Sequence, residues 1–455
     1  MIVDEPGMKV VSAAVGMYDI MEQQVSIVES LEKKRAPFKD MAAIYMIAPS
    51  SESVRRLLND FADKSKVLYG KAVFLYFLGP VPKNLMNELK QCKQLIKRLK
   101  AVAEVNVDFL IREDRAFILD MNDPFAVIFR DNSVELKVAE KLVTLCATLN
   151  EYPYIRYSQN SRTCTSIASI FKRKMDKFVG SNNSWWYHGS GNCPFGGNVE
   201  RDRSTVLLLD RTSDCLTPLM HDFRYQAMVN DLLNIVGDKI TYKADSPDNP
   251  RKKEDKDVLL NDKDKLWVEM RGEHIAKVIE VLSGRIQEVV NSSSTSSVAR
   301  KDKGSNMSLA QLASALKELP EYREVMSKLS QHMHLAHECM DQFGRAGLLD
   351  LSDVEQTLAT GKSEEGRLTK LSETISRCES AMLRIQDPKD RLRLMLIATI
   401  SQGGLTSFDK ERLLRAAQLN RTDLQTLESL VKIGIPTINN KVSSDSTSTK
   451  TGILG

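Results

Sequence analysis

The 455-residue sequence contains several groups whose residue types and spacing could carry chemistry. Val206-Leu-Leu-Leu-Asp210-Arg211-Thr212-Ser213-Asp214 places an aspartate at the end of an apolar run. α/β enzymes put metal ligands and nucleophiles at the carboxyl ends of buried strands. An aspartyl phosphotransferase also needs a second carboxylate two residues on to complete its magnesium site, and Thr212 does not supply one. Asp210, Arg211 and Asp214 read more simply as a charge network at a domain border. A hydrolase or phosphotransferase using Asp210 and Asp214 stays as one rival reading, and a non-catalytic structural scaffold that binds other proteins as another. In Gln331-His332-Met333-His334-Leu335-Ala336-His337-Glu338-Cys339, helical spacing puts His334, His337 and Glu338 on one face. Zinc would want that geometry, but no fourth ligand is specified. The ordinary reading is a set of histidines on a solvated or partner-facing helix, and no metal is expected.

Phosphate chemistry finds no support. No Gly-x-x-x-x-Gly-Lys-Ser/Thr occurs, and Gly189-Ser190-Gly191 lies in a loop, not between a strand and a helix. Lys90, Lys93, Lys97 and Lys100 recur at three- and four-residue steps and predict a solvated helix face. Without interleaved aromatics, that stripe offers bases nothing to stack on. The least ordinary pattern is Leu309, Leu312, Leu316 and Leu319, interrupted by Pro320 and continued by Tyr322, Val325, Met326, Leu329, Met333 and Met340. A proline inside a helix costs ~3 kcal/mol. The segment should therefore fold back as a hairpin at Glu318–Glu321 or run as one kinked helix. Methionine on the second arm suits adaptable packing against a partner helix. Core packing inside a helical domain explains the stripe equally well.

The elements that must hold these groups divide the chain. At one domain per ~150 residues, the length suggests about three. Apolar residues make up 42% and charged residues 27%, enough for ordinary cores. Lys plus Arg exceed Asp plus Glu by 64 − 60 = 4, too small a field for non-specific nucleic-acid binding. Runs such as Ala72–Leu78 fall short of the ~18 apolar residues of a membrane span. No secretory leader opens the chain, and the seven cysteines (92, 146, 164, 193, 215, 339, 378) show no Cys-x-x-Cys. A cytosolic protein with reduced thiols is expected.

Strands are predicted at Met1–Val3, Val25–Val28, Ala42–Ile47, Ala72–Leu78 and Val105–Ile111, with helices over Val54–Phe61, capped by Pro49-Ser50-Ser51, and Leu85–Leu99. Strands alternating with helices imply a parallel sheet covered on both faces. A second α/β region follows, with strands Phe117–Leu119 and Ala126–Phe129, helix Leu136–Leu149, a surface loop over Gly180–Asn198, and a fully buried strand Val206–Leu209. From Phe223 the pattern is helical. Lys243–Lys265, Asn291–Asn306 and the tail after Asn439 are too polar to fold alone and should be mobile.

Val206–Ala227 (VLLLDRTSDCLTPLMHDFRYQA) resembles the signature of the SM family, the Sec-one/Munc-eighteen syntaxin-binding proteins of vesicle fusion. Met41–Phe61, Leu145–Tyr157, Leu266–Val278, Leu319–Met340 and Lys432–Pro436 extend the similarity in register over nearly the whole chain, most like the exocytic branch. The resemblance implies an arch with a central cavity. It comprises an N-terminal parallel-sheet α/β domain (1–105), a second α/β domain (106–236), a mainly α-helical domain (a helical-hairpin part, 237–345, and a helical subdomain, 346–439), and a disordered tail (440–455). It implies no enzymatic activity and no cofactor, but a monomer that clasps a syntaxin-type SNARE and templates assembly with the vesicle SNARE. Membrane contact would be indirect, by recruitment to plasma membrane or vesicles through syntaxin.

By the resemblance, Asp4, Met8, Lys9, Glu29, Lys34 and Arg35 form the syntaxin clasp, and Gly16 replaces a basic family contact. Val81, Met86, Val102 and Glu104 form the pocket for syntaxin's N-terminal peptide, with Met86 replacing an aromatic. Pro320, Met326 and Met333 form the hairpin that meets the vesicle SNARE, the methionines replacing leucines. The family carries further chain before Met1 and after Pro436, so a chain truncated at both ends, with an apolar edge exposed in its second domain, is expected.

Overall fold

The computed structural model describes residues 1–62, 67–121, 133–190, 202–246, 249–299, 320–363 and 365–439. The chain forms two compact units, Met1–Asp210 and Arg211–Gly455.

The first unit is built on a five-stranded parallel sheet. Its strands are β1 (Ile2–Val3), β2 (Glu29–Ser30), β3 (Ala43–Ile47), β4 (Val73–Phe77) and β5 (Leu99–Glu104), in the order β2-β1-β3-β4-β5. Five helices accompany it: α1 (Glu5–Ala14), α2 (Met17–Glu22), α3 (Ser51–Asn59), α4 (Lys83–Gln91) and the short α5 (Lys93–Ile96). Tyr45, Ile47, Leu75 and Phe77 are fully buried against Val54 and Leu57 of α3 and Leu85 and Leu89 of α4. Ser50 caps α3 as its sequence predicts, accepting from the Ser53 amide at 3.1 Å.

Two boundaries differ from expectation. The second strand falls at Glu29–Ser30, not Val25–Val28, because β1 fixes its register by pairing Ile2 with Glu29. The helix expected over Leu85–Leu99 stops at Gln91, where Cys92 turns extended (φ −79°, ψ 91°). The fifth strand therefore starts at Leu99 instead of Val105. Along it Leu99, Ala101 and Ala103 are the less exposed positions, a period of two hidden behind the lysine spacing. Lys90, Lys93, Lys97 and Lys100 consequently lie on α4, on α5, after α5 and on β5, and share no helix face.

Beyond the sheet, β6 (Leu110–Glu113) and β7 (Ala116–Ile118) form a hairpin. Helices Ser133–Thr148 and Arg162–Ser181 pack around Ala139, Val143, Cys146, Phe171 and Met175. Beside them β8 (Tyr154–Tyr157) and β9 (Thr205–Leu208) pair in parallel. Val206–Leu209 was expected to be fully buried. Instead Leu207 is 60% and Leu209 76% exposed, because among the described residues only β8 pairs with β9. The expected strand Ala126–Phe129 lies outside the described residues. The expected loop Gly180–Asn198 begins inside a helix, which runs to Ser181. Trp185 is half-buried there, packing edge-on to Phe178 and donating Nε1–H to the Ala147 carbonyl at 3.2 Å.

In the second unit, helix Tyr225–Leu232 is followed by three antiparallel strands, β10 (Ile235–Val236), β11 (Lys239–Ser246) and β12 (Asn249–Leu259). Most of the polar segment Lys243–Lys265 is thus ordered as a hairpin, anchored because Ile240, Val258 and Leu260 reach a core with Tyr225, Trp267 and Leu329. The first part of Asn291–Asn306 is likewise helical, within Ile275–Ala299. Helix Pro320–Ala346 carries Leu329, Leu335 and Cys339 into the same core. The stripe's first arm, Leu309 to Leu319, lies outside the described residues, as do Cys193 and the tail from residue 440. Five further helices, Leu348–Thr360, Leu371–Arg384, Pro388–Ser401, Ser407–Ala417 and Arg421–Glu428, enclose a separate core that includes Leu351, Ile375, Leu394 and Leu413. No helix among the described residues is long and apolar enough to cross a membrane.

Candidate partner-binding site

Asp4 closes β1 and caps α1. Its Oδ1 accepts from the Gly7 amide at 2.8 Å, and its Oδ2 from the Ala48 amide at 2.7 Å and the Ser53 hydroxyl at 2.6 Å. Its residue is 1% exposed, and burial pushes its carboxyl up despite those donors. Asp4 therefore joins β1, β3 and α3 internally and, although it borders the cleft described next, is almost wholly buried. What it positions is α1. Met8 and Lys9 stand on that helix and line a cleft of about 470 Å³ with Ser12, Ser30 and Glu32. Lys9 Nζ lies 3.5 Å from Glu5 and 3.4 Å from Asp120. Glu29 sits next to Ser30 on β2 and accepts from the Tyr69 hydroxyl at 3.2 Å.

Lys34 is exposed, but its neighbour Arg35 is not. The Arg35 guanidinium is buried against Asp60, whose Oδ2 also accepts from the Tyr45 hydroxyl at 2.7 Å. Nε and Nη1 of Arg35 have no hydrogen-bond partner among the described residues. Of the six residues grouped by sequence, Met8, Lys9, Glu29 and Lys34 thus reach the surface, while Asp4 and Arg35 are internal. Gly16 caps α2, its amide donating to Asp19 at 2.9 Å.

A second grouping lies at the other edge of the sheet. The Val81 amide donates to Glu104 Oε1 at 2.8 Å, which ties the start of α4 to the end of β5. Val81 and Met86 pack partly against the core, and Val102 is 40% exposed on β5, the outermost strand of this sheet. These four residues form an apolar ledge with one carboxylate.

In the second unit Pro320 begins the helix that carries Met326 and Met333. Both methionines are half-buried and pack against that unit's own core, whereas Val325 is 48% exposed. His332, expected on a solvated or partner-facing face, is fully buried, because the helix turns it towards Tyr225 and Asp264. Its Nδ1 is 3.1 Å from the Tyr225 hydroxyl and its Nε2 3.3 Å from Asp264 Oδ1. Among the described residues no group of His, Cys, Asp or Glu is arranged to hold a metal ion.

Asp210 accepts from the Ser161 hydroxyl. Asp214 accepts from the Leu216 and Thr217 amides at 3.1 and 3.0 Å, and the Thr217 donor holds its carboxyl below the usual range. Asp210 thus ties the end of β9 to the cap of helix Arg162–Ser181, and Asp214 holds the turn that follows it. Sequence reasoning missed the buried polar networks altogether. His221 Nδ1 lies 2.8 Å from Glu355, and Arg393 bonds both His221 and Asp231. Partners so distant along the chain leave no periodic signal.

Residues 1–452 match the sequence profile of the Sec1 family. The protein transport protein sec1 of Dictyostelium discoideum is 33% identical over 441 residues, covering 96% of this chain and 70% of the relative. The SNARE-interacting protein KEULE of Arabidopsis thaliana is 29% identical, covering 95% of this chain and 65% of the relative. The chain thus spans about two thirds of the length of these relatives. The crystal structure of the Unc18–syntaxin 1 complex from Monosiga brevicollis superposes with a TM-score of 0.81 at 26% identity, over 99% of this chain and 77% of that one. The chain belongs to the Sec1 family.

Proposed function

We propose that this chain is a SNARE-binding regulator of vesicle docking and fusion in exocytosis. It clasps a syntaxin-type SNARE and then templates assembly with the vesicle SNARE, without catalysing a reaction. The observation that carries this reading is the close match of the fold to a protein solved in complex with syntaxin 1. The clasp is formed by Met8 and Lys9 in the cleft together with Glu29 and Lys34, with Asp4 and Arg35 acting from inside to hold α1 and the strand ends in place. The ledge of Val81, Met86, Val102 and Glu104 takes the syntaxin N-terminal peptide. Pro320, Met326 and Met333 meet the vesicle SNARE. The protein works as a monomer, reaches the plasma membrane or vesicles through syntaxin, and needs neither cofactor nor nucleic acid.

Calorimetry with the cytosolic region of a plasma-membrane syntaxin tests the reading, together with SNARE-dependent liposome fusion. Saturable binding and faster fusion are expected. Magnesium-dependent phosphatase activity that disappears in Asp210→Ala, with no syntaxin binding, would replace this reading with the enzymatic one.

A further inference from the structure

Strand β8 has one open side. Among the described residues it pairs with β9 alone. The Tyr154 amide donates to the Ser204 carbonyl at 2.8 Å, on the β9 side. Backbone groups alternate sides along a strand, so Arg156 also faces β9, while Ile155 and Tyr157 turn N–H and C=O to the open side. Such an edge is a template for a further strand. Helix Arg162–Ser181 walls it, and a groove of about 430 Å³ lies between helix and strand. Its apolar lining is Ile155, Ala168, Phe171 and Met175, its charged lining is Lys172 and Arg203, and among the described residues no carboxylate lines it. Arg203 is fixed in place. Its guanidinium lies 4.2 Å over the Tyr152 ring and 4.3 Å over the Tyr154 ring, and its Nε donates to the Tyr152 carbonyl at 2.6 Å. Lys172 is held only by Asp176, in an exposed pair that exchanges partners at little cost.

We propose that this groove takes an extended acidic peptide as an added strand on β8, with an apolar side chain in the pocket and a carboxylate against Arg203 and Lys172. The open edge favours a peptide over a small solute, because only a backbone can pair with Ile155 and Tyr157 in turn. The apolar lining takes the side chain that points towards the helix. Charge complementarity fixes the chemistry of the rest, since a guanidinium already held in one orientation is a ready carboxylate receptor. Both cations lie near Tyr152, at the amino end of β8: Arg203 stacks on its ring, and the Asp176 that holds Lys172 accepts from its hydroxyl. The carboxylate of the peptide belongs at that end. None of the residues given to syntaxin lines this groove, so the inference goes beyond the syntaxin reading and assigns the first unit a second class of partner.

The test is panning of a random heptapeptide library against the full chain, followed by fluorescence anisotropy with the enriched peptide. A carboxylate beside alternating apolar residues is expected in that peptide, with saturable binding. Tyr157→Pro removes one donor from the open edge and none from the ladder with β9, a placement edge strands tolerate. It is expected to weaken binding about tenfold or more, whereas Tyr157→Ala, which keeps the donor, stays within about threefold. Lys172→Glu should also weaken binding about tenfold or more. Thermal unfolding and syntaxin binding should match the wild type in all three variants. N-methylation of the peptide amides that face β8 should abolish binding, and methylation of the alternate amides should not. Absence of saturable binding, an enriched peptide without a carboxylate, or equal affinities for Tyr157→Pro and Tyr157→Ala would overturn the proposal. Hexanoate competing as well as the peptide would overturn it by naming a small amphipathic anion as the occupant. Self-association of the wild type that Tyr157→Pro abolishes would overturn it by naming a second copy.

Discussion

Nη2 of Arg35 reaches both carboxylate oxygens of Asp60, at 2.8 and 2.9 Å, and the two side chains are only 5% and 7% exposed. Removing one partner of such a pair strands a buried charge, at a cost of ~3–5 kcal/mol. Arg35→Ala is therefore expected to lower stability by that amount in urea titration, while Lys34→Ala stays within ~0.5 kcal/mol as exposed sites do. An Arg35→Ala variant as stable as Lys34→Ala would return Arg35 to the surface clasp.

Stability in acid should depend on Asp264. Burial opposes its ionisation, but His332 and Lys328, with the Trp267 amide, outweigh burial and hold its carboxyl well below the ordinary range. The unfolded chain then binds the proton more readily than the folded one. The stabilisation is complete above pH ~4, near the unfolded value, and is lost as pH falls towards the depressed folded value. Asp264→Asn is expected to lower stability at pH 7 by ~1–3 kcal/mol. It should also flatten the decline of stability below pH ~4. Parallel curves for wild type and variant across that acid range would refute the assignment.

Syntaxin affinity should distinguish Glu29 from Lys97. Glu29 is half-buried beside the cleft, whereas Lys97 is exposed beyond α5. Reversing an interfacial charge at a partly desolvated position costs ~2–5 kcal/mol of binding, and an exposed charge ~0–1 kcal/mol. Glu29→Arg is expected to weaken binding far more than Lys97→Glu. Tyr69→Phe reports what the internal hydrogen bond to Glu29 contributes. Equal affinities for Glu29→Arg and Lys97→Glu would remove Glu29 from the clasp.

The ledge makes a separable prediction. Met86→Asp places a charge on its apolar part and is expected to weaken binding of a syntaxin N-terminal peptide by ~2 kcal/mol or more. Binding of a syntaxin fragment lacking that peptide should stay unchanged. Fluorescence anisotropy with both ligands checks this, and loss of both would show that the two surfaces are not independent.

Where local pattern and tertiary demand agreed, the sequence was readable. β3, β4 and α3 appear nearly where apolar spacing and Ser50 place them. Legibility failed where two periods overlapped, as at Leu99–Glu104, where lysines at helical steps mask a strand. It failed again in β11 and β12, where charges conceal the few apolar anchors that order the hairpin. Among the grouped residues, type and proximity suggested a surface for all six clasp positions. Nothing local revealed that Arg35 finds Asp60, 25 residues on, or that Asp4 is spent on the Ala48 amide and the Ser53 hydroxyl.

The ribbon of β8 and β9 has a consequence in time as well as in space. Two strands alone do not persist in water, and Leu207 and Leu209 bring little burial to this pair. Its lifetime is therefore borrowed from helix Arg162–Ser181, which anchors Phe171 and Met175 in the neighbouring core. Solvent exchange at the ribbon's amides should follow the opening of that helix. The strand that carries the family signature is thus a passenger on the slow clock of its neighbour.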